Sequence, residues 1–177
     1  YSTGNHVFRT LDEGSSWQVI SPDLTRNDPE KLRASGGLTH DTSGAEHYCT
    51  LSSFVESPHK AGLFWAGSDD GLLHISQDGG ATWQNITPSD LPAWSYVHCI
   101  ELSAHAAGTA YVAVTRYKLD EYRPWLYKTS DYGASWQRID ASFPQDEVSR
   151  VIREDATVAG LLFVGTETGI FVSFNDG

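Results

Sequence analysis

The sequence predicts an all-β chain, a β-propeller of four-stranded antiparallel blades, and three observations carry that prediction. An eight-residue pattern of hydroxyl, x, Asp, x, Gly, x, hydroxyl, Trp occurs as Thr10-Leu11-Asp12-Glu13-Gly14-Ser15-Ser16-Trp17, Ser76-Gln77-Asp78-Gly79-Gly80-Ala81-Thr82-Trp83 and Thr129-Ser130-Asp131-Tyr132-Gly133-Ala134-Ser135-Trp136. Ser173-Phe174-Asn175-Asp176-Gly177 opens a fourth copy. The segments between copies also superimpose: Phe54 to Gly67 matches Ile100 to Ala113 and Ile152 to Gly165, each reading as strand, turn, strand. Each repeat therefore holds four short strands, which is the blade unit of a propeller.

Taken in order, Val7 to Thr10 and Ser16 to Ile20 are the final pair of strands of a first blade. In the second blade the strands are Tyr48 to Val55, Leu63 to Gly67, Leu72 to Ser76 and Thr82 to Ile86. In the third they are near Val97 to Leu102, Ala110 to Thr115, Trp125 to Thr129 and Ser135 to Ile139, and a last blade begins at Val148. The expected organisation is one propeller portion: 1–20 the end of a blade, 21–47 a long loop, 48–87 a blade, 94–139 a blade and 148–177 the start of a blade. Because the chain opens within a blade and stops within the turn pattern, the expected whole is a longer propeller.

The repeated turn asks for its residue types. A short Asp accepts hydrogen bonds from backbone N–H groups just after it, and Gly supplies a positive φ. The Trp leaves the turn as a large apolar anchor. Asp12, Gly14, Trp17, Asp78, Gly80, Trp83, Asp131, Gly133 and Trp136 are therefore expected to be structural. The aligned Trp65, Tyr111 and Phe163 fit half-buried sheet positions.

Lys and Arg number 12 against 23 Asp and Glu, a formal charge of -11, which argues against nucleic acid or an anionic membrane as partner. No apolar run is long enough to span a membrane as a helix. The chain begins at Tyr1 and contains no Met, so a removed leader, and with it a secreted or periplasmic location, fits this start. Cys49 and Cys99 lack metal or redox spacing and read as small buried side chains, with a disulfide between them as the alternative.

Propeller topology sorts the loops. The repeated turns share a bottom face with the turns between first and second strands. The top face receives the linker Ser21 to His47, the turn Ser68-Asp69-Asp70, the linker Pro88 to Trp94, the insertion Arg116 to Pro124, the linker Asp140 to Glu147 and the turn Glu167-Thr168. Candidate acid and base residues there are Asp69, Asp70, Asp120 and Glu121, since paired carboxylates across a groove cleave glycosidic bonds. Ordinary turn chemistry explains the same residues. Arg116 and Arg123 are candidate anion clamps, Glu167 a further polar contact, and Trp94, Tyr117, Tyr122 and Trp125 aromatic ligand surfaces. Within the long linker, His40-Asp41 and Glu46-His47 have metal-ligand chemistry but no supporting spacing, so no metal and no cofactor is assigned.

The turn pattern resembles the Asp-box, or BNR repeat, of β-propellers in sialidases, glucan hydrolases, sortilin-type receptors and photosystem assembly factors. The wider chain resembles bacterial sortilin-like and BNR-repeat proteins labelled glycosyl hydrolase. That likeness is carried by Ser21-Pro22-Asp23-Leu24-Thr25, Trp65-Ala66-Gly67-Ser68-Asp69-Asp70-Gly71, Tyr122-Arg123-Pro124-Trp125-Leu126-Tyr127-Lys128-Thr129 and Val164-Gly165-Thr166-Glu167-Thr168-Gly169. The resemblance implies a many-bladed propeller. Sialidases of this kind bring an Arg-Ile-Pro motif and an arginine triad; the motif is absent, and no motif places Arg116, Arg123 and Arg153 as that triad.

Two functions follow as expectations. One is a non-enzymatic scaffold that binds a glycan, peptide or protein ligand through its loop face, beside the remaining blades of the ring. The alternative is a glycoside hydrolase, sialidase-like or xyloglucanase-like, using the top-face carboxylates.

Overall fold

The computed structural model describes residues 1–34 and 47–177. Strands β1 (Ser2–Thr3), β2 (Val7–Arg9) and β3 (Gln18–Val19) form a first antiparallel sheet. A second contains β4 (Leu51–Glu56), β5 (Phe64–Ser68), β6 (Leu73–Ser76) and β7 (Gln84–Asn85). The third contains β8 (Tyr96–Leu102), β9 (Ala110–Arg116), β10 (Glu121–Thr129) and β11 (Gln137–Arg138), and the fourth β12 (Ser149–Glu154), β13 (Leu162–Thr166) and β14 (Ile170–Ser173). Every sheet is a simple up-and-down meander, as blades require. No helix among the described residues is long and apolar enough to cross a membrane.

The expected strands are recovered, with two corrections. Ser2 and Thr3 add a strand to the first sheet, pairing with Phe8 and Val7, although their short polar run gave no strand signal. The stretch Arg116 to Pro124 is less loop than expected: a 3-10 turn at Tyr117–Leu119 leads into β10, which already begins at Glu121 and carries an irregularity between Glu121 and Trp125. That irregularity accommodates Pro124, which has no N–H for a regular ladder.

The core lies between successive sheets. Trp65, Leu73, Ile75 and Ile86 of the second sheet pack with Val97, Ile100, Val112, Val114, Trp125 and Tyr127 of the third. Cys99, Tyr111, Leu126 and Ile139 of the third pack with Ile152, Leu162 and Val164 of the fourth. Trp65 and Tyr111 are more buried than half, whereas Phe163 is 38% exposed. Both cysteines are buried and free, without a disulfide.

The repeated turns are built alike. In the second copy the Thr82 N–H and hydroxyl donate to Asp78 at 2.9 and 2.6 Å, and the Gly80 N–H donates to the Ser76 hydroxyl at 2.9 Å. Asp12 and Asp131 receive the corresponding bonds from Ser16 and Ser135. Two successive residues take positive φ in each copy, for example Gly79 and Gly80 at 76° and 94°. The turn lies against the turn between first and second strands, the Gly79 N–H reaching the Gly62 carbonyl at 2.9 Å and that of Tyr132 reaching Gly108 at 3.0 Å. The repeated turns and the first-to-second turns therefore share one face, and the remaining loops lie opposite.

Candidate functional site

On that opposite face, the turn after β5 carries Asp69 and Asp70, and neither is solvated: they are 4% and 0% exposed. One Asp70 carboxylate oxygen accepts the Ser68 hydroxyl at 2.5 Å, and the other accepts the Arg26 backbone N–H at 2.7 Å. The Asp70 carbonyl accepts from Arg26 Nε at 2.8 Å and from the Trp94 N–H at 3.0 Å. Asp70 thus ties three loops together, which a short side chain with two acceptor oxygens does well. To make its bond Trp94 sits in the left-handed region at φ 65°, an uncommon conformation for an aromatic residue.

Asp69 accepts the Thr50 N–H at 2.9 Å. Burial pushes its carboxyl up, against the pull of the Thr50 N–H; the Asp70 charge adds to the rise and Lys118 opposes it. Glu121 is shifted the other way. Burial alone raises it, but hydrogen bonds and charge from Arg116 and Arg123 outweigh this and hold it below the usual carboxylate range. One Glu121 oxygen accepts Arg116 Nε at 2.6 Å; the other accepts Arg123 Nε at 2.6 Å and the Trp125 indole N–H at 3.1 Å. Arg116 also reaches the Ala93 carbonyl at 2.8 Å and the Ser95 hydroxyl at 3.1 Å, so the expected anion clamp is engaged within the protein. Arg123 lies over Trp125 at 4.0 Å. Asp120 is exposed in a left-handed turn and, among the described residues, its side chain receives only the Tyr122 hydroxyl, at 3.3 Å.

The aromatic side chains gather around cations. Tyr48 and Trp94 meet edge to face with ring centroids 5.4 Å apart. Lys31 lies 5.3 Å and Arg26 5.7 Å from the Trp94 ring. Lys118 lies 5.4 Å from Tyr48 and 5.3 Å from Tyr96, so it bridges the two rings. Arg150 lies 4.5 Å from Tyr117 and pairs with Glu167. Burial pushes the Tyr48 and Tyr96 hydroxyls up, the Asp69 charge adding to it. The first strands of three consecutive sheets, the loops leading into them and the 3-10 turn at Tyr117–Leu119 thus present one mixed aromatic and cationic surface.

Sequence reasoning singled out Trp94, Tyr117 and Glu167 in this surface but missed Tyr48, Tyr96, Lys118 and Arg150. The repeat alignment held the signal: Tyr48 and Trp94 occupy the same repeat position, just ahead of β4 and β8. Trp125, buried, belongs instead with Glu121, and Tyr122, half exposed, with Asp120. His40, Asp41 and Glu46 lie outside the described residues. Among the described residues no cluster of His, Cys, Asp or Glu side chains is gathered as metal ligands.

No protein-family model matches the chain. An oligoxyloglucan-reducing end-specific xyloglucanase from Emericella nidulans is 28% identical over 85 residues, which are 47% of this chain and 10% of that protein. The crystal structure of a GH74 xyloglucanase from Xanthomonas campestris matches 99% of this chain and 26% of its own, with a TM-score of 0.69 at 15% identity. YCF48 from Cyanidioschyzon merolae matches 72% of this chain and 37% of its own, with a TM-score of 0.57 at 21% identity. The chain therefore spans well under half the length of each of these proteins, and the likeness to the two structures is one of fold: part of a β-propeller.

Proposed function

We propose that this chain contributes the loop face of a non-enzymatic propeller scaffold, which binds an extended glycan or peptide on the surface formed by Tyr48, Trp94, Tyr96, Tyr117, Lys118 and Arg150. The observation that carries this reading is the way Lys118 spans Tyr48 and Tyr96 while Lys31 and Arg26 flank Trp94. Ring faces set between cations suit sugar rings or peptide groups bearing carboxylates. The commitment of Asp70 and Glu121 to protein donors supports binding over catalysis. A YCF48 structure with 19% identity and a TM-score of 0.54 is bound to a D1 peptide, so a propeller of this fold does serve peptide recognition. On the same reading the repeated turns are Asp-boxes of a sortilin-like or BNR-repeat protein, the blades run over 48–87 and 94–139 with partial blades at 1–20 and 148–177, and further blades complete the ring.

The second reading, a glycoside hydrolase, draws on one specific feature. Asp69 is shifted up and Glu121 down, and opposite shifts mark an acid and a base. The GH74 fold likeness adds to it. Purified chain, screened against glycan and peptide panels that include xyloglucan oligosaccharides, separates the two. Saturable binding without turnover, weakened about tenfold or more by Trp94→Ala, supports the scaffold. Turnover that Asp69→Asn abolishes establishes the hydrolase instead.

A further inference from the structure

Where the second and third sheets meet, each of them four-stranded, the loop face holds an aromatic seat with a cation already in it. Tyr48 stands just ahead of β4, Tyr96 opens β8, and both are half-buried. The Lys118 ammonium lies 5.4 Å from the Tyr48 ring centroid and 5.3 Å from that of Tyr96. Trp94 closes the Tyr48 side, edge to face at 5.4 Å. Left-handed backbone holds this wall: Cys49, next to Tyr48, has φ 70°, and Trp94 itself φ 65°. Such strain persists where the surroundings over-determine it.

Beside the rings lies Asp69, 4% exposed. Its charge bears on Lys118 and on both Tyr48 and Tyr96. Two ring faces with a buried carboxylate nearby attract an ammonium through the ring quadrupoles and through a weakly screened opposite charge. The formal charge of -11 on the whole chain draws cations to it as well.

The neighbouring contacts between cations and rings are made differently. Arg123 and Arg138 lie over Trp125 at 4.0 and 4.2 Å, and Arg150 over Tyr117 at 4.5 Å. Each of these guanidinium groups is also pinned by a carboxylate, that of Glu121, Asp140 and Glu167 in turn. Among the described residues no ion pair includes Lys118. Lys118 is exposed and comes from the 3-10 turn Tyr117–Leu119 rather than from a strand. The seat is thus built on two sheets while its occupant hangs from a loop, and the ammonium can leave without breaking a strand ladder.

We propose that Tyr48, Tyr96 and Asp69 form a pocket for a lysine side chain of a peptide ligand, and that Lys118 fills it as an internal stand-in until the ligand displaces it. The present occupant defines the chemistry: exchanging one alkylammonium for another preserves every charge in the seat. A neutral or acidic sugar has no ammonium to offer in exchange, so this pocket selects peptide over glycan. The proposal rests on the loop-face reading and names the chemistry of one of its pockets.

The test compares two tripeptides, acetyl-Gly-Lys-Gly-amide and the same peptide acetylated on its lysine side chain, which removes the charge. Binding to the purified chain is followed through the tyrosine resonances in an NMR titration. The charged peptide is expected to bind Lys118→Ala at least about tenfold more tightly than the unaltered chain, where Lys118 competes, and the acetylated peptide to gain nothing. Within the Lys118→Ala background, Tyr96→Phe should keep the gain because the ring face remains, and Tyr96→Leu should lose it, with thermal melting to check that both variants fold. Equal binding of the two peptides, or no gain on removing Lys118, overturns the pocket even where Trp94-dependent binding on the glycan and peptide panels stands. A gain for the charged peptide with silent panels keeps the pocket and sinks the wider loop-face ligand.

Discussion

The indole N–H of Trp136 donates to the backbone carbonyl of Ile86 at 2.6 Å, fastening the third sheet to the second. The same ring meets Trp65 and Tyr127 edge to face at 6.3 and 6.4 Å. Trp136→Ala removes a half-buried aromatic and leaves that carbonyl without its partner. A loss of about 3 kcal/mol is expected. Trp17, 49% exposed, is the internal comparator: Trp17→Ala should cost under about 1 kcal/mol in the same urea titration.

Adjacent glycines in one turn separate conformational strain from collision. Gly79 and Gly80 both have positive φ. A Cβ on Gly79 meets nothing within 4 Å, whereas one on Gly80 stands 2.5 Å from the Ile20 carbonyl oxygen. Gly79→Ala should cost about 1 kcal/mol, the ordinary left-handed penalty. Gly80→Ala should cost clearly more, because the obstacle is backbone and the two sheets must separate; equal melting temperatures for the two variants would refute this.

The turns were legible because their chemistry is local: Asp78 bonds to Thr82 only four residues away, so the spacing itself encodes the contact. The strands were legible because the repeat could be compared with itself. What was hidden depends on distant residues. Nothing near Asp70 in sequence announces Arg26, its partner 44 positions away, so a buried loop tie looked like a solvated turn acid. Lys118 likewise has no local partner in the sequence, and only the fold sets it between Tyr48 and Tyr96. The first strand, Ser2–Thr3, was missed because two polar residues acquire strand character only from pairing with β2.

Glu121 holds two guanidinium groups, and Arg116, with a side chain 14% exposed, is the more enclosed. Glu121→Gln keeps the shape and removes the charge, leaving Arg116 facing a neutral amide beside the Ser95 hydroxyl and the Ala93 carbonyl. A loss of about 1–2 kcal/mol is expected, tempered because Arg123 and Glu121 are partly solvated. A double-mutant cycle with Arg116→Met measures the coupling, and zero coupling would show that the pair contributes nothing to stability.

His74 gives the fold an acid-sensitive point. Burial disfavours its charged form and lowers it from 6.5 to about 4, although the Asp70 charge pulls the other way. A lowered base binds protons more readily when unfolded, so its contribution is intact above pH 6.5 and declines as pH falls toward 4. The full loss is on the order of 3 kcal/mol. Asp69, shifted up by burial, acts oppositely, its penalty growing as pH rises above the ordinary carboxylate range. His74→Gln should therefore flatten the fall in stability between pH 6.5 and 4, and Asp69→Asn should leave that fall in place and steepen it. Below this window the turn carboxylates take over: hydrogen bonds from Ser16, then Thr10, lower Asp12 from 3.8 to about 2, so its turn holds until the pH falls through that range. Urea midpoints measured at half-unit steps from about pH 7 down to about pH 2 check this order of events, and an unchanged slope in His74→Gln would show that this imidazole is solvated rather than buried.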